Sequence, residues 1–221
     1  MLRSLFTCVL FSFSAALFAQ EVTPAEIKAK KIKKQTVTTK STEADQVTTT
    51  YYDDKGNDTA SYNNGVRSYY RVIQYNSKGK IDKITNHADD GRETDATLFT
   101  YKPDGSAVAI NKDAQFGLAY HYTYDKNGNK TSFKIPDGTV IKYFYNSRNQ
   151  LTKTQSFPAA ADDVKYVIAH TYNAKNKMIK SVQTGDYSNT TTYEYAADGL
   201  LKKATIKGSG YTTTYTYEYG Y

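Results

Sequence analysis

The 221-residue chain has one cysteine, Cys8, no tryptophan, two methionines and four prolines. A lone cysteine excludes an internal disulfide framework and any zinc site built on cysteine pairs. With few prolines, extended segments keep the backbone donors that a sheet needs. The one long apolar run is at the very start. Arg3 is a minimal positive region, residues 5–18 are apolar apart from Thr7, Cys8, Ser12 and Ser14, and Ala19-Gln20 offers a small-residue exit. That is the pattern of a secretory signal peptide over residues 1–20. Cys8 sits near the start of the run rather than at its end, which argues against a lipid anchor. Cleavage would remove Arg3 and Cys8, take the formal charge from +7 to +6 and leave no thiol. No later stretch is long and apolar enough for a spanning helix, so no transmembrane segment is expected after signal removal.

What the chain has in plenty is tyrosine, 22 residues, with nine phenylalanines and many threonines, a composition that favours strands. The tyrosines recur in register. Tyr52, Tyr75, Tyr101, Tyr124, Tyr145, Tyr172 and Tyr195 are separated by 23, 26, 23, 21, 27 and 23 residues, and Tyr219 follows 24 further on. The fourth residue after each of the first seven is Gly56, Gly79, Gly105, Gly128, Asn149, Asn176 or Gly199. Gly and Asn most readily accept a left-handed backbone, so each site predicts a type I turn with a bulge closing a hairpin. Two residues before the register tyrosine stand Ile73, Phe99, Tyr122, Tyr143, His170, Tyr193 and Tyr217, with Thr50 the exception. Residues two apart share a face of a strand, so each unit presents an aromatic or aliphatic pair on one side. Six residues after the tyrosine lie Ile81, Ala107, Leu151, Met178 and Leu201, with Asp58 and Lys130 as exceptions. The pattern predicts an all-β antiparallel meander of tandem hairpin repeats, fourteen to sixteen short strands, forming an extended twisted sheet or open barrel.

The stretch Tyr122-Thr-Tyr-Asp-Lys-Asn-Gly-Asn129, then Pro136-Asp-Gly-Thr139, then Tyr143-Phe-Tyr-Asn-Ser-Arg-Asn-Gln-Leu151 resembles the YD repeat of the RHS family. The resemblance covers about residues 45–221, although the signature Asp occurs only at Asp53 and Asp125, with Asn76, Asn146 and Asn173 in three units and Lys102 and Ala196 in the others. It implies an extracellular or envelope β-sheet protein. Large members wind long arrays into a shell around a toxin; this chain has too few units for a closed shell on that plan, and a cargo role is not expected.

Three segments follow: a signal peptide over 1–20, a basic N-terminal arm over 21–44 and the repeat domain over 45–221. In the arm, Thr23-Pro24-Ala25-Glu26 has the form of a capped helix start. The Lys28, Lys30, Lys31, Lys33 and Lys34 cluster that follows reads as a solvated linker, or else as a surface for anionic partners. Residues 35–40 and 46–52 alternate like a leading hairpin.

Catalytic chemistry finds little to stand on. His170 occupies a ladder position and is expected to pack, His121 to face solvent, and His87 to lie in a loop. Asp53-Asp54, Asp89-Asp90 and Asp162-Asp163 lie in turn segments, where Asp bonds local backbone. Residues 125–129 lack the alternating ligands and distal Glu of a calcium loop. Neither a nucleophile elbow nor a phosphate-cradling glycine motif occurs. No enzyme activity, metal or cofactor is expected. The tyrosines are read chiefly as core. Where the sheet stays open, Tyr122, Tyr143, Tyr193 and Tyr217 are candidates for contact with a ligand or partner, since a flat aromatic face suits sugar rings or a docking protein. Loops over 156–163 and 86–95 are further contact candidates.

The reading is an exported, non-enzymatic binding or structural module, secreted or in the cell envelope. Its partner would be an unknown protein or glycan, and no nucleic acid is expected. The alternative is a carbohydrate-binding or carbohydrate-processing protein using the tyrosine face. An outer-membrane barrel is disfavoured because Lys and Thr crowd the strands where a lipid-facing band should run.

Overall fold

Each repeat turn is fixed by its own side chains. The computed structural model describes residues 23–41, 44–159 and 164–221; the signal segment and Asp162-Asp163 lie outside the described residues. In all seven turns the fourth residue has a positive φ, from 57° at Asn149 to 87° at Gly56. Its N–H donates to the carbonyl of the residue after the register tyrosine, as in Gly128 to Asp125 at 3.0 Å. That first turn residue explains the signature Asp. The Asp125 Oδ1 accepts from the N–H groups of Asn127 and Asn129, both at 2.9 Å. Asn76, Asn146 and Asn173 make the same pair of bonds, so Asn replaces Asp without loss of the turn. Where Lys102 and Ala196 stand instead, Asp104 and Asp198 two residues later accept from Ser106 and Leu200.

These turns join sixteen strands: β1 (Lys34–Lys40), β2 (Gln46–Tyr52), β3 (Asp58–Asn63), β4 (Val66–Tyr75), β5 (Ile81–His87), β6 (Glu93–Tyr101), β7 (Ala107–Asp113), β8 (Ala119–Tyr124), β9 (Lys130–Lys134), β10 (Val140–Tyr145), β11 (Leu151–Phe157), β12 (Tyr166–Tyr172), β13 (Met178–Gly185), β14 (Asn189–Tyr195), β15 (Leu201–Gly208) and β16 (Tyr211–Gly220). Every strand pairs antiparallel with its sequence neighbour, and β1 also pairs with β16, so the sheet is a closed barrel rather than an extended sheet or open barrel.

Closure comes from the basic arm. The arm is not a linker: β1 matches Lys34 to Gly220 through Lys40 to Thr214 on one side and pairs with β2 on the other, while Lys28, Lys31, Lys33 and Lys34 stay exposed to solvent. In the seventh unit Tyr193 lies opposite Ala204, and Thr191 opposite Ile206. In the same register Tyr217 lies opposite Val37, and Tyr215 opposite Thr39. The N-terminal strand is therefore the missing second half of the eighth repeat, and eight units are enough to close. Upstream, α1 (Pro24–Ala29) begins with the expected capping box, Thr23 Oγ1 accepting from Glu26 N–H and Glu26 Oε2 from Thr23 N–H, both at 3.2 Å. The helix sits at the end of the barrel carrying the repeat turns. Ile27 and Ile32, both fully buried, pack with Leu200, Tyr52 and Tyr219. Lys30 Nζ donates to the Asp198 carbonyl at 2.8 Å, Lys177 Nζ pairs with Glu26 at 2.7 Å, and Lys33 pairs with Asp54. Any side chain at Gly56 would run into the backbone of Pro24, so glycine is required there for contact as well as for φ.

Register pairs place the register tyrosines and the residues two before them on the inner wall, in layers two residues apart. The register tyrosines form the layer nearest the turns, and Ile73, Phe99, Tyr122, Tyr143, His170, Tyr193 and Tyr217 the next. On the outer wall of β10–β15 Lys142, Lys153, Lys180, Glu194 and Lys203 project outward among threonines, and Val47, Tyr51, Val72, Leu98, Phe144 and Ile179 are exposed apolar residues on the strands. No helix among the described residues is long and apolar enough to cross a membrane.

Candidate functional site

The register tyrosines are structural ties. Six of the seven repeat hairpins have an irregular register beside the register tyrosine, where one extra residue bulges out. A bulge disrupts the ladder locally and leaves a carbonyl free. The next unit's tyrosine takes it. Tyr101 donates to Ile81 O, Tyr145 to Lys130 O, Tyr172 to Leu151 O, Tyr195 to Met178 O and Tyr219 to Leu201 O, at 2.8–3.0 Å. The β6–β7 hairpin has no bulge, and Tyr124, the tyrosine that would use its Ala107 carbonyl, makes no such bond. Gln35 carries the stitching across the seam, donating to the Tyr219 hydroxyl at 3.3 Å and accepting from Tyr52 at 3.1 Å. Burial pushes the phenols of Tyr124, Tyr145, Tyr172 and Tyr219 up to about 12. A testable consequence follows from the missing bond. Tyr172→Phe and Tyr195→Phe should each cost about 1 kcal/mol in urea unfolding, whereas Tyr124→Phe should cost close to nothing. Equal losses at all three positions would mean that ring packing, not the hydroxyl ties, sets the effect.

The four tyrosines singled out for contact all face inward. Tyr143 and Tyr193 are 7% and 5% exposed and belong to two different core clusters, so they are core rather than an exposed aromatic face. Tyr122 and Tyr217 are partly buried; Tyr122 stacks on Phe133 at 4.8 Å, and Tyr217 packs against the cluster of Tyr193. Closure is the physical reason: it turns the aromatic side into the barrel wall. His170 packs as expected, its Nδ1 2.8 Å from Ser181 Oγ, with burial pulling its pKa down to about 4. His121 is exposed, as read. His87 is a β5 strand residue stacked on Tyr70 at 4.8 Å. Of the segment 86–95, Asn86-His87 and residues 93–95 are strand, with Asn86 opposite Asp95, and residues 88–92 form the loop between them; Ser156 belongs to β11. Among the described residues no group of three or more His, Asp or Glu side chains is placed to hold a metal.

What the sequence did not single out is a polar sector on the inner wall of β3–β8. Arg71 pairs with Asp58 and donates through Nε to Asn86 Oδ1 at 2.7 Å. Asp58 also accepts from the Tyr69 hydroxyl at 3.1 Å. Asn86 and Asn111 both donate to Asp95 Oδ1 at 2.7 Å, and Asn111 also donates to Thr97 at 2.8 Å. Tyr120 lies directly opposite Asn111. The side chains of Arg71 and Asp58 are 26% and 31% exposed although they face inward, so solvent reaches this part of the wall. The signal was present: Asp58 breaks the apolar sixth position, and Arg71 stands four residues before Tyr75 on the inner parity.

No family model matches the chain. Teneurin-3 of Mus musculus is 23% identical over 151 residues, 68% of this chain. The chain spans about 5% of the length of that curated relative. Among solved structures, a porin-like protein from Bacteroides uniformis ATCC 8492 superposes with a TM-score of 0.56 at 13% identity, covering 86% of this chain and 98% of that one. The TcdB2-TccC3-Cdc42 structure aligns with a TM-score of 0.36 at 12% identity, over 79% of this chain and 13% of that one. The porin-like protein shares the barrel fold. The likeness to Teneurin-3 gives loose support to the YD-repeat resemblance.

Proposed function

We propose that the chain is an exported, non-enzymatic β-barrel that serves at the cell surface or outside the cell as a binding or structural module. The observation that carries this reading is where the repeated side chains spend their bonds. Register tyrosines and turn carboxylates bind the chain's own backbone, which yields a rigid closed scaffold. Part of the basic arm goes into closure as β1, and no nucleic-acid partner is part of the reading. Its partner is a protein or glycan, met by the inner polar sector or by the loops opposite the repeat turns. The leader-like segment over 1–20 supports export. Fractionation of producing cells with intact-mass analysis tests it: the protein should be found in the envelope or the medium and lack about the first twenty residues. Recovery from the cytoplasm with an intact N-terminus would overturn it.

A further inference from the structure

We propose that the inner wall of β3–β8 is a saccharide-binding site, formed by Asp58, Arg71, Asn86, Asp95 and Asn111 with Tyr120 as an aromatic platform. This deepens the reading of the chain as a binding module and rests on it. The argument begins with which bonds are left over. Both polar atoms of Asn86 and both carboxylate oxygens of Asp58 are already bonded within the network, which holds it rigid from within. Arg71 Nη2, the Asn111 side-chain carbonyl and the Tyr120 hydroxyl have no hydrogen-bond partner among the described residues, while the guanidinium lies over the Tyr69 ring at 4.8 Å. Together they offer one fixed charged donor, one fixed acceptor and one hydroxyl that can do either. Vicinal sugar hydroxyls, each a donor and an acceptor, match such a set.

Charge narrows the class. Two carboxylates, Asp58 and Asp95, flank one guanidinium, which disfavours an anionic ligand. A simple cation would have to compete with Arg71 for Asp58 and with two amides for Asp95 Oδ1. A neutral, hydroxyl-rich ligand meets neither obstacle. Beside the network stand aromatic rings: Tyr120 stacks on Phe133 at 6.1 Å, and Phe99 occupies the layer next to Thr97. Sugar rings combine an apolar C–H face with a polar edge, and this wall places an aromatic layer next to a polar one. The site is also reachable, since the Arg71 and Asp58 side chains keep solvent contact.

The test uses the purified full chain and a panel of soluble neutral hexasaccharides: cello-, xylo-, manno-, laminari- and chitohexaose. Binding is followed by calorimetry and tyrosine fluorescence, and products by mass spectrometry. At least one should bind, and Asn111→Ala and Tyr120→Leu should each weaken it by about tenfold while the far-ultraviolet spectrum stays unchanged. Tyr51→Ser and Tyr70→Ser on the outer wall should leave binding as it was. Absence of binding across the panel overturns the site. So does binding that survives both inner-wall variants, or that is lost only in the outer-wall pair; in that last case the binding-module reading stands without this site. Shortened oligosaccharides from wild type but not from Asn111→Ala would keep the site and overturn the non-enzymatic reading.

Discussion

A chain that begins at residue 41, lacking α1 and β1, should no longer be a closed monomer. Size-exclusion chromatography with light scattering should show concentration-dependent association, and the near-ultraviolet tyrosine signal should fall. The reason is topological. β1 is antiparallel to both β16 and β2, so those two strands run parallel to each other. An all-antiparallel meander closes only with an even number of strands, and fifteen would force a parallel pairing for which the chain supplies no register. Two edges with unpaired N–H and C=O groups would remain, and exposed edges pair with other chains. The loss also uncovers Leu200, Tyr52 and Tyr219, which Ile27 and Ile32 cover. Burial of those two isoleucines alone is worth about 4 kcal/mol. Gln35→Ala is the milder test, because it keeps the strand but removes the bridge between Tyr219 and Tyr52; it should lower stability by about 1–2 kcal/mol without association. A truncated chain that stays monomeric with an unchanged tyrosine signal would show that β16 and β2 seal without β1.

The same seam marks where sequence reasoning stops. Turn positions, strand number and the tyrosine face are encoded within some ten residues of each other, so Tyr124, Asp125 and Gly128 announce their hairpin locally. Closure depends on Lys34 meeting Gly220, and nothing in residues 34–40, a run of Thr, Lys, Gln and one Val, marks it as half of a repeat whose other half lies at the far terminus. Counting units from the first register tyrosine makes the eighth look truncated when it is only split. The polar sector was hidden for a different reason. The bulge after Ile81 shifts the alternation by one, so that Ile84 and Asn86 face inward where simple parity from Ile81 would put Lys83 and Thr85. Asn86 also read as the start of a loop over 86–95, and its partnership with Arg71 and Asp95 could not be counted. Arg71, by contrast, precedes its tyrosine without an intervening bulge, and its inward direction was legible all along.

Acid should weaken the barrel well before its carboxylates titrate, through one histidine. His170 occupies the layer that holds Tyr143 and Tyr193 and is 9% exposed. The groups facing it are Ser181 from β13 at 2.8 Å and Thr154 from β11 at 3.5 Å, with the Tyr193 hydroxyl of β14 3.2 Å from the same Ser181. None of them carries a charge to stabilise an imidazolium, so burial pulls the folded pKa down from 6.5 to about 4. The unfolded chain then binds the proton more readily than the folded one. The stability tied to the neutral ring is complete above pH 6.5 and drains away as the pH falls toward 4. Between pH 7 and pH 5 this amounts to about 2 kcal/mol, a drop in melting temperature of roughly 4–8 °C for a chain of this size. Asp54, Asp104, Asp125 and Glu26 all have folded pKa values below the ordinary carboxylate range, so their losses begin lower, as the pH falls through 4.5. The alkaline side mirrors this with opposite sign. Buried phenols such as Tyr145 and Tyr172, pushed up to about 12, hold stability that is complete below pH 10 and lost as the pH rises toward 12. His170→Asn separates the two arms, because it keeps a polar group beside Ser181 but cannot ionise. Urea unfolding of this variant should be flat from pH 7 to 5, while its alkaline limb stays that of wild type. A wild-type slope retained in His170→Asn would place the acid sensitivity in another group.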